Sequence, residues 1–130
     1  MAKVFLDTNF FIDAIHRKPE KQILDKLEGN VICASTLSFH IYCYAFKIKI
    51  PNEKVTLQKE KFYIVDFSEN LLNKALEGPT KDLEDNVQLH SAAEAECDLF
   101  LTEDRKLLNM KFFGKMQMVS NIALLSSLRA

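Results

Sequence analysis

The stretch that decides the fold runs Asp82-Leu83-Glu84-Asp85-Asn86-Val87-Gln88-Leu89-His90-Ser91-Ala92-Ala93-Glu94-Ala95-Glu96-Cys97-Asp98-Leu99-Phe100-Leu101-Thr102-Glu103-Asp104. Acids crowd its start, where negative charge complements a helix dipole, and small and apolar residues follow at helical spacing. The pattern predicts a helix over residues 82–96. Asp98-Leu99-Phe100-Leu101 then has the length of a strand, and a continuous apolar run is what burial on both faces of a parallel sheet requires. A helix feeding such a strand is half of a βαβ unit.

The same alternation extends outward. Lys3-Val4-Phe5-Leu6 is a first buried strand, Asp7-Thr8-Asn9 supplies cap-forming side chains, and Phe10 to Ile15 carries an apolar helical pattern. Pro19 suits the first turn of another helix, with Ile23, Leu24 and Leu27 at core spacing and Gly29-Asn30 as its stop. Val31-Ile32-Cys33-Ala34 is the second strand, and Ser35 or Thr36 caps an aromatic-rich helix through about Lys47. Pro51 to Glu60 is a polar loop or short helix. Phe62 to Phe67 is the third strand. Ser68 then caps a helix with Leu71, Leu72, Ala75 and Leu76, which Gly78-Pro79 ends. Beyond the fourth strand, Arg105 to Met110 is a short helix, Met116 to Val119 a short fifth strand, and Ile122 to Leu128 a closing helix. With no repeat or linker, residues 1–130 are expected to form one α/β domain. Its architecture is a three-layer α/β/α sandwich around a four- to five-stranded parallel sheet.

Composition narrows the function classes. Hydrophobic residues at 48% with ten Phe supply a core, and 27% charged residues argue against disorder. Apolar runs such as Phe10-Phe11-Ile12 are too short to span a bilayer, and Met1-Ala2-Lys3 leads into a strand, not into a signal-peptide apolar region. A soluble cytoplasmic protein with no membrane partner is expected. Cys33, Cys43 and Cys97 form no C-x-x-C pair and read as reduced, mostly buried hydrophobes. A net charge of −1 excludes an overtly basic nucleic-acid binder. It does not exclude a metal-dependent nuclease, because a bound cation offsets the carboxylates such a site needs. Lys47, Lys49, Lys54, Lys59 and Lys61 cluster in sequence, either as a solvated surface or as a phosphate-tracking rim.

The chemistry lies in the acids. In open α/β sheets the functional crevice lies beyond the carboxyl ends of the strands. Asp7 follows the first strand and Asp104 the fourth, so both belong to one sheet edge. They are close if those strands are neighbours. Asp85, in the first turn of the helix leading to the fourth strand, shares a stripe with Leu89, Ala92 and Glu96. A carboxylate at the end of an inward-facing row needs a cation or a hydrogen-bonded network. Each acid also has a local explanation: Asp7 and Asp104 as helix caps, and Asp82, Glu84 and Asp85 as dipole-complementing acids. Three acids converging on one edge are harder to explain by capping alone. Oxygen ligands favour Mg²⁺ or Mn²⁺ over zinc, and an ion so held can activate a water for in-line attack on a phosphodiester. Asn9 and Thr102 are candidates to orient that water or the phosphate.

Phe5-Leu6-Asp7-Thr8-Asn9, Asp82-Leu83-Glu84-Asp85-Asn86-Val87-Gln88 and the block from Ala93 to Asp104 resemble the PIN-domain family of metal-dependent ribonucleases, in order and spacing, over nearly the full chain. The resemblance implies RNA phosphodiester hydrolysis with Mg²⁺ or Mn²⁺ and often a homodimer. In short single-domain bacterial members it frequently implies a toxin paired with an antitoxin. By position, Asp7, Asp85 and Asp104 take the metal-ligand and catalytic roles, with Asp82 accessory. The pattern is broken in one place. The family usually carries a Glu on the helix after the second strand, and His40 stands where that Glu would align. No Asp or Glu occurs between Glu28 and Glu53. His40 is therefore either a neutral accessory ligand or a helix histidine with no site role. Lys106 also stands where an acid is common.

Two functions compete. One is a Mg²⁺/Mn²⁺-dependent endoribonuclease. The other is a catalytically degenerate PIN-like module that binds RNA or protein through its lysine-rich segment. A phosphotransferase using Asp7 as nucleophile is a more distant option, since Asn9 replaces the second acid that chemistry needs.

Overall fold

The computed structural model describes residues 1–120, and the closing helix expected over Ile122 to Leu128 lies outside them. Six strands form one sheet: β1 (Lys3–Leu6), β2 (Val31–Ser35), β3 (Tyr63–Val65), β4 (Leu99–Leu101), β5 (Phe112–Phe113) and β6 (Met116–Val119). Their spatial order is β3-β2-β1-β4-β6-β5. All neighbours pair in parallel except β5 with β6. The five expected parallel strands are therefore present, and β5 adds an antiparallel edge. Its two residues are too few to leave a pattern. Gly114, at φ 63°, opens the two-residue loop that folds β5 onto β6.

Strand residues alternate between two apolar layers. Val4 and Leu6, Leu99 and Leu101, Ala34 and Val119 face one side, while Phe5, Phe100, Cys33 and Met118 face the other. On the first side lie α1 (Thr8–Ile12), which runs on as a π turn over Asp13–Arg17, then α2 (Ile23–Lys26) and α3 (Thr36–Ala45). Another helix, α4 (Glu53–Lys59), fills the segment read as polar loop or short helix. On the second side lie α5 (Glu69–Glu77), α6 (Leu83–Glu94) and α7 (Arg105–Leu108). This is the expected three-layer sandwich. No helix among the described residues is long and apolar enough to cross a membrane.

Caps set the helix starts. Asp7, Ser35, Asn52, Ser68, Asp82 and Asp104 each accept a backbone N–H with the side chain at a helix N-terminus. The helix expected from Pro19 is broken instead: Pro19–Lys21 makes one 3₁₀ turn and Gln22, at φ 49°, separates it from α2. The helix expected over residues 82–96 ends at Glu94. Glu96 is exposed at φ 58° and so leaves the stripe assigned to it, while Val87, Leu89 and Ala92 form the buried face. Cys33 and Cys97 are buried, Cys43 is half-buried, and none forms a disulfide.

Candidate active site

The strand order reverses between β1 and β4. The chain leaves β1 for β2 and β3 on one side, and β4 lies on the other. Such a switch point is where an α/β sheet opens a crevice. Leu6 pairs with Leu101, and the Asp7 N–H donates to the Leu101 carbonyl at 3.1 Å. The residues that follow the two strands, Asp7 and Thr102, are thereby set side by side.

Asp7 is 8% exposed. One of its oxygens, Oδ1, accepts the Phe10 N–H at 2.8 Å, and the Thr102 hydroxyl also bonds its carboxylate. Burial, with the charges of Asp104 and Glu103 behind it, raises the Asp7 pKa to about 6 in spite of those bonds. Thr102 is fully buried and accepts the Asp104 N–H at 3.0 Å, so one hydroxyl joins the two acids. Asp104 is exposed, and its Oδ1 accepts the Lys106 N–H at 2.8 Å. Both residues are thus caps, as their local explanations required. A cap occupies one carboxylate oxygen and leaves the other for a second task.

Asp85 differs. It is half-buried, caps nothing, and its carboxylate makes no hydrogen bond or ion pair among the described residues. Burial raises its pKa to about 6, and the charges of Asp82, Asp104, Glu84 and Asp7 add to the shift. Asp82 itself is exposed and accepts the Asp85 N–H at 3.0 Å, holding the start of α6.

Asp7 and Asp104 line a cleft of about 490 Å³ together with Glu103. Asn9, Phe10, Asp13, Arg17 and Lys18 complete its lining, and Asp85 lies outside it. Hard oxygen donors, mutual repulsion and raised carboxyl pKa values suit a divalent cation. Among the described residues no Lys, Arg or His forms an ion pair with Asp7, Asp85 or Asp104. In kind and charge the residues fit such an ion. Among the described residues no three acids are drawn close enough to enclose one.

The family model of the PIN domain matches residues 4–112. The chain belongs to the PIN-domain family. Solved structures share the PIN fold at low identity. VapBC2 from Rickettsia felis, bound to a DNA fragment from its promoter, is 17% identical, with a TM-score of 0.62 over 90% of this chain and 97% of that one. VapC20 of Mycobacterium tuberculosis, a sarcin-ricin loop cleaving toxin, is 10% identical, with a TM-score of 0.62 over 88% and 98%. FitAB bound to the IR36 DNA fragment is 14% identical, with a TM-score of 0.56 over 89% and 93%. No curated protein sequence matches the chain.

Against the PIN pattern, His40 is not brought to the edge. It is exposed, its ring stacks on Tyr44 with centroids 6.2 Å apart, and it borders a separate hollow with Lys47 and Lys49. From α3, Ser38 makes the polar contact with α1: it is fully buried and lies 3.1 Å from the Thr8 hydroxyl and 3.4 Å from Gln88 Oε1. A further acid comes from α6. Glu84 is half-buried, bonds the Thr8 side chain, and has its pKa raised by burial and by Asp82. Its density beside Asp82 and Asp85 was the only sequence signal for it. Asn9 is exposed on the cleft and receives Arg17. His90 donates from Nε2 to the Gly78 carbonyl at 2.9 Å, a local bond between α6 and the end of α5. The five clustered lysines are all exposed.

Proposed function

We propose that this PIN-family chain is a Mg²⁺- or Mn²⁺-dependent endoribonuclease in which Asp7, Asp85 and Asp104 hold the metal. The observation that carries it is Asp7 and Asp104 on one cleft at the β1/β4 switch point, with Asp85 feeling the charge of both and no basic side chain paired to any of the three among the described residues. Thr102 orients Asp7 through its hydroxyl and Asp104 through the Asp104 N–H. Asp82 fixes the start of α6, from which Asp85 projects its charge, and Asn9 lies where it can orient the RNA. A divalent ion, when bound, supplies positive charge for the scissile phosphate. Likeness to a solved sarcin-ricin loop cleaving toxin supports a toxin role, and likeness to VapBC2 and FitAB supports an antitoxin partner, with a homodimer as the family resemblance implies.

Purified protein with Mn²⁺ is expected to cut single-stranded RNA, and Asp7→Asn or Asp104→Asn to stop it. Intact RNA with folded protein, and no heat of Mn²⁺ binding by calorimetry, refutes the proposal. A second function, a degenerate RNA- or protein-binding module, is favoured by the absence of an enclosed acidic centre among the described residues and by the exposure of His40. It requires RNA binding that survives alanine at all three aspartates.

A further inference from the structure

We propose that Arg17 is the residue that seats the RNA phosphate in the cleft, an inference that rests on the nuclease function proposed above. A cleft lined by Asp7, Glu103 and Asp104 repels a polyanion, so substrate approach needs positive charge elsewhere on its lining. The cations lining the cleft among the described residues are Arg17 and Lys18.

They are held very differently. Lys18 Nζ lies 3.9 Å from Asp13 Oδ2, a loose contact. Arg17 Nε donates to Asp13 Oδ1 at 2.8 Å, and Nη2 donates to the Asn9 carbonyl at 3.2 Å and to Asn9 Oδ1 at 3.4 Å. Asp13 is a firm anchor. It is 7% exposed, and its carbonyl accepts the Lys18 N–H at 3.0 Å, closing the π turn over Asp13–Arg17. Single π turns inside helices recur at functional sites.

A guanidinium carries five N–H donors in a rigid fork. Asp13 and Asn9 engage donors on Nε and Nη2, and no partner among the described residues engages Nη1. With its side chain 40% exposed on the cleft, the remaining donors are open to a phosphate, which this fork binds bidentately. Asn9 follows Asp7 by two residues in α1, so the group that holds Arg17 is tied to the segment that holds the acid. An ion pair serving stability alone would need the Asp13 contact and no place on the cleft.

The test measures binding of a short fluorescein-labelled single-stranded RNA by anisotropy, in Ca²⁺ and across a salt series, with the RNA checked intact afterwards. Arg17→Gln is expected to weaken binding about tenfold or more and to lower the salt slope by about one. Arg17→Lys should keep the slope and recover only part of the affinity, and Lys18→Gln should cost less than Arg17→Gln. In Mn²⁺, Arg17→Gln should raise KM more than it lowers kcat. Folded Arg17→Gln with wild-type affinity and slope, beside a wild type that cuts RNA, overturns the proposal alone. A wild type that neither binds nor cuts RNA overturns the nuclease function and this proposal with it. If Arg17→Gln fails to fold, Arg17→Lys decides: lost affinity at an unchanged Tm supports the role, and full affinity overturns it.

Discussion

Asp7 and Asp13 are two buried aspartates on one cleft, 8% and 7% exposed. Around Asp13 stand Arg17 at 2.8 Å and Lys18 at 3.9 Å. Around Asp7 stand a backbone N–H, the Thr102 hydroxyl and the charges of Asp104 and Glu103. Burial is the same and counter-charge is not. A buried carboxylate needs compensation, and the fold provides it for Asp13 from within. For Asp7 it provides hydrogen bonds and more negative charge, which leaves the compensation to a proton or to the cation proposed above. Missing counter-charge, more than burial, therefore separates a candidate ligand from a structural anchor.

The largest test of that contrast is activity. Asp7→Asn or Asp104→Asn should lower Mn²⁺-dependent RNA cleavage by about a hundredfold or more. Asparagine still caps a helix, so the loss would report charge and not folding. Asp13→Asn should affect cleavage far less, chiefly through KM as Arg17 loosens. A gel-based rate series on the three variants decides it, and an active Asp7→Asn removes the basis of the comparison.

Stability should respond with opposite signs. In metal-free protein near neutral pH, Asp13→Ala leaves Arg17 unpaired and should cost about 2 kcal/mol, reduced from a fully buried pair because Arg17 is partly exposed. Asp7→Asn removes an unfavourable buried charge and should raise Tm by about 4 °C. Calorimetry of both variants would show it. A fall in Tm for Asp7→Asn would mean its hydrogen bonds outweigh the repulsion.

How far this contrast was visible in sequence depends on what carries it. Apolar runs and caps leave local patterns, so the sheet, the sandwich and the placing of Asp7 and Asp104 on one edge were legible. That β1 and β4 are neighbours was a condition of that placing, and the strand order meets it. The spacing of Asp13 and Arg17 was equally visible, but a π turn has no periodic signature and nothing local marks Asp13 as buried. Glu84 was read as a dipole acid because its contact, Thr8, is remote in sequence. Helix phase sets His40 apart: it lies about 200° round α3 from the buried Ser38, so of the two readings the sequence left open, its position favours the helix histidine.

A smaller effect concerns pH. Asp7 and Asp85 have folded pKa values of about 6, above the ordinary carboxyl value of 3.8. A carboxyl raised on folding binds its proton more tightly in the native state, so its stabilisation is complete below about pH 4 and lost as pH rises through about 6. The contribution of these two groups to metal-free Tm should therefore fall between pH 4 and pH 7. Asp7→Asn with Asp85→Asn should flatten that slope, and Mn²⁺ should restore wild-type Tm at pH 7 by binding the native state. An unchanged slope in the double variant would assign the titration to other groups.

The smallest expected effect is the most discriminating for the PIN pattern. Restoring the family's usual acid by His40→Glu should alter neither Mn²⁺ affinity nor cleavage by more than about twofold, as for an ordinary surface change. His40 is exposed and stacked on Tyr44, while the α3 side chain near the acids is the buried Ser38. A carboxylate at position 40 would enter a hollow bordered by Lys47 and Lys49, where solvent and those lysines compensate it. Like Asp13, it would have its counter-charge supplied by the protein and would have no call on a metal. Tighter Mn²⁺ binding in His40→Glu, measured by calorimetry, would put that face of α3 at the site and make the missing acid the important departure of this chain.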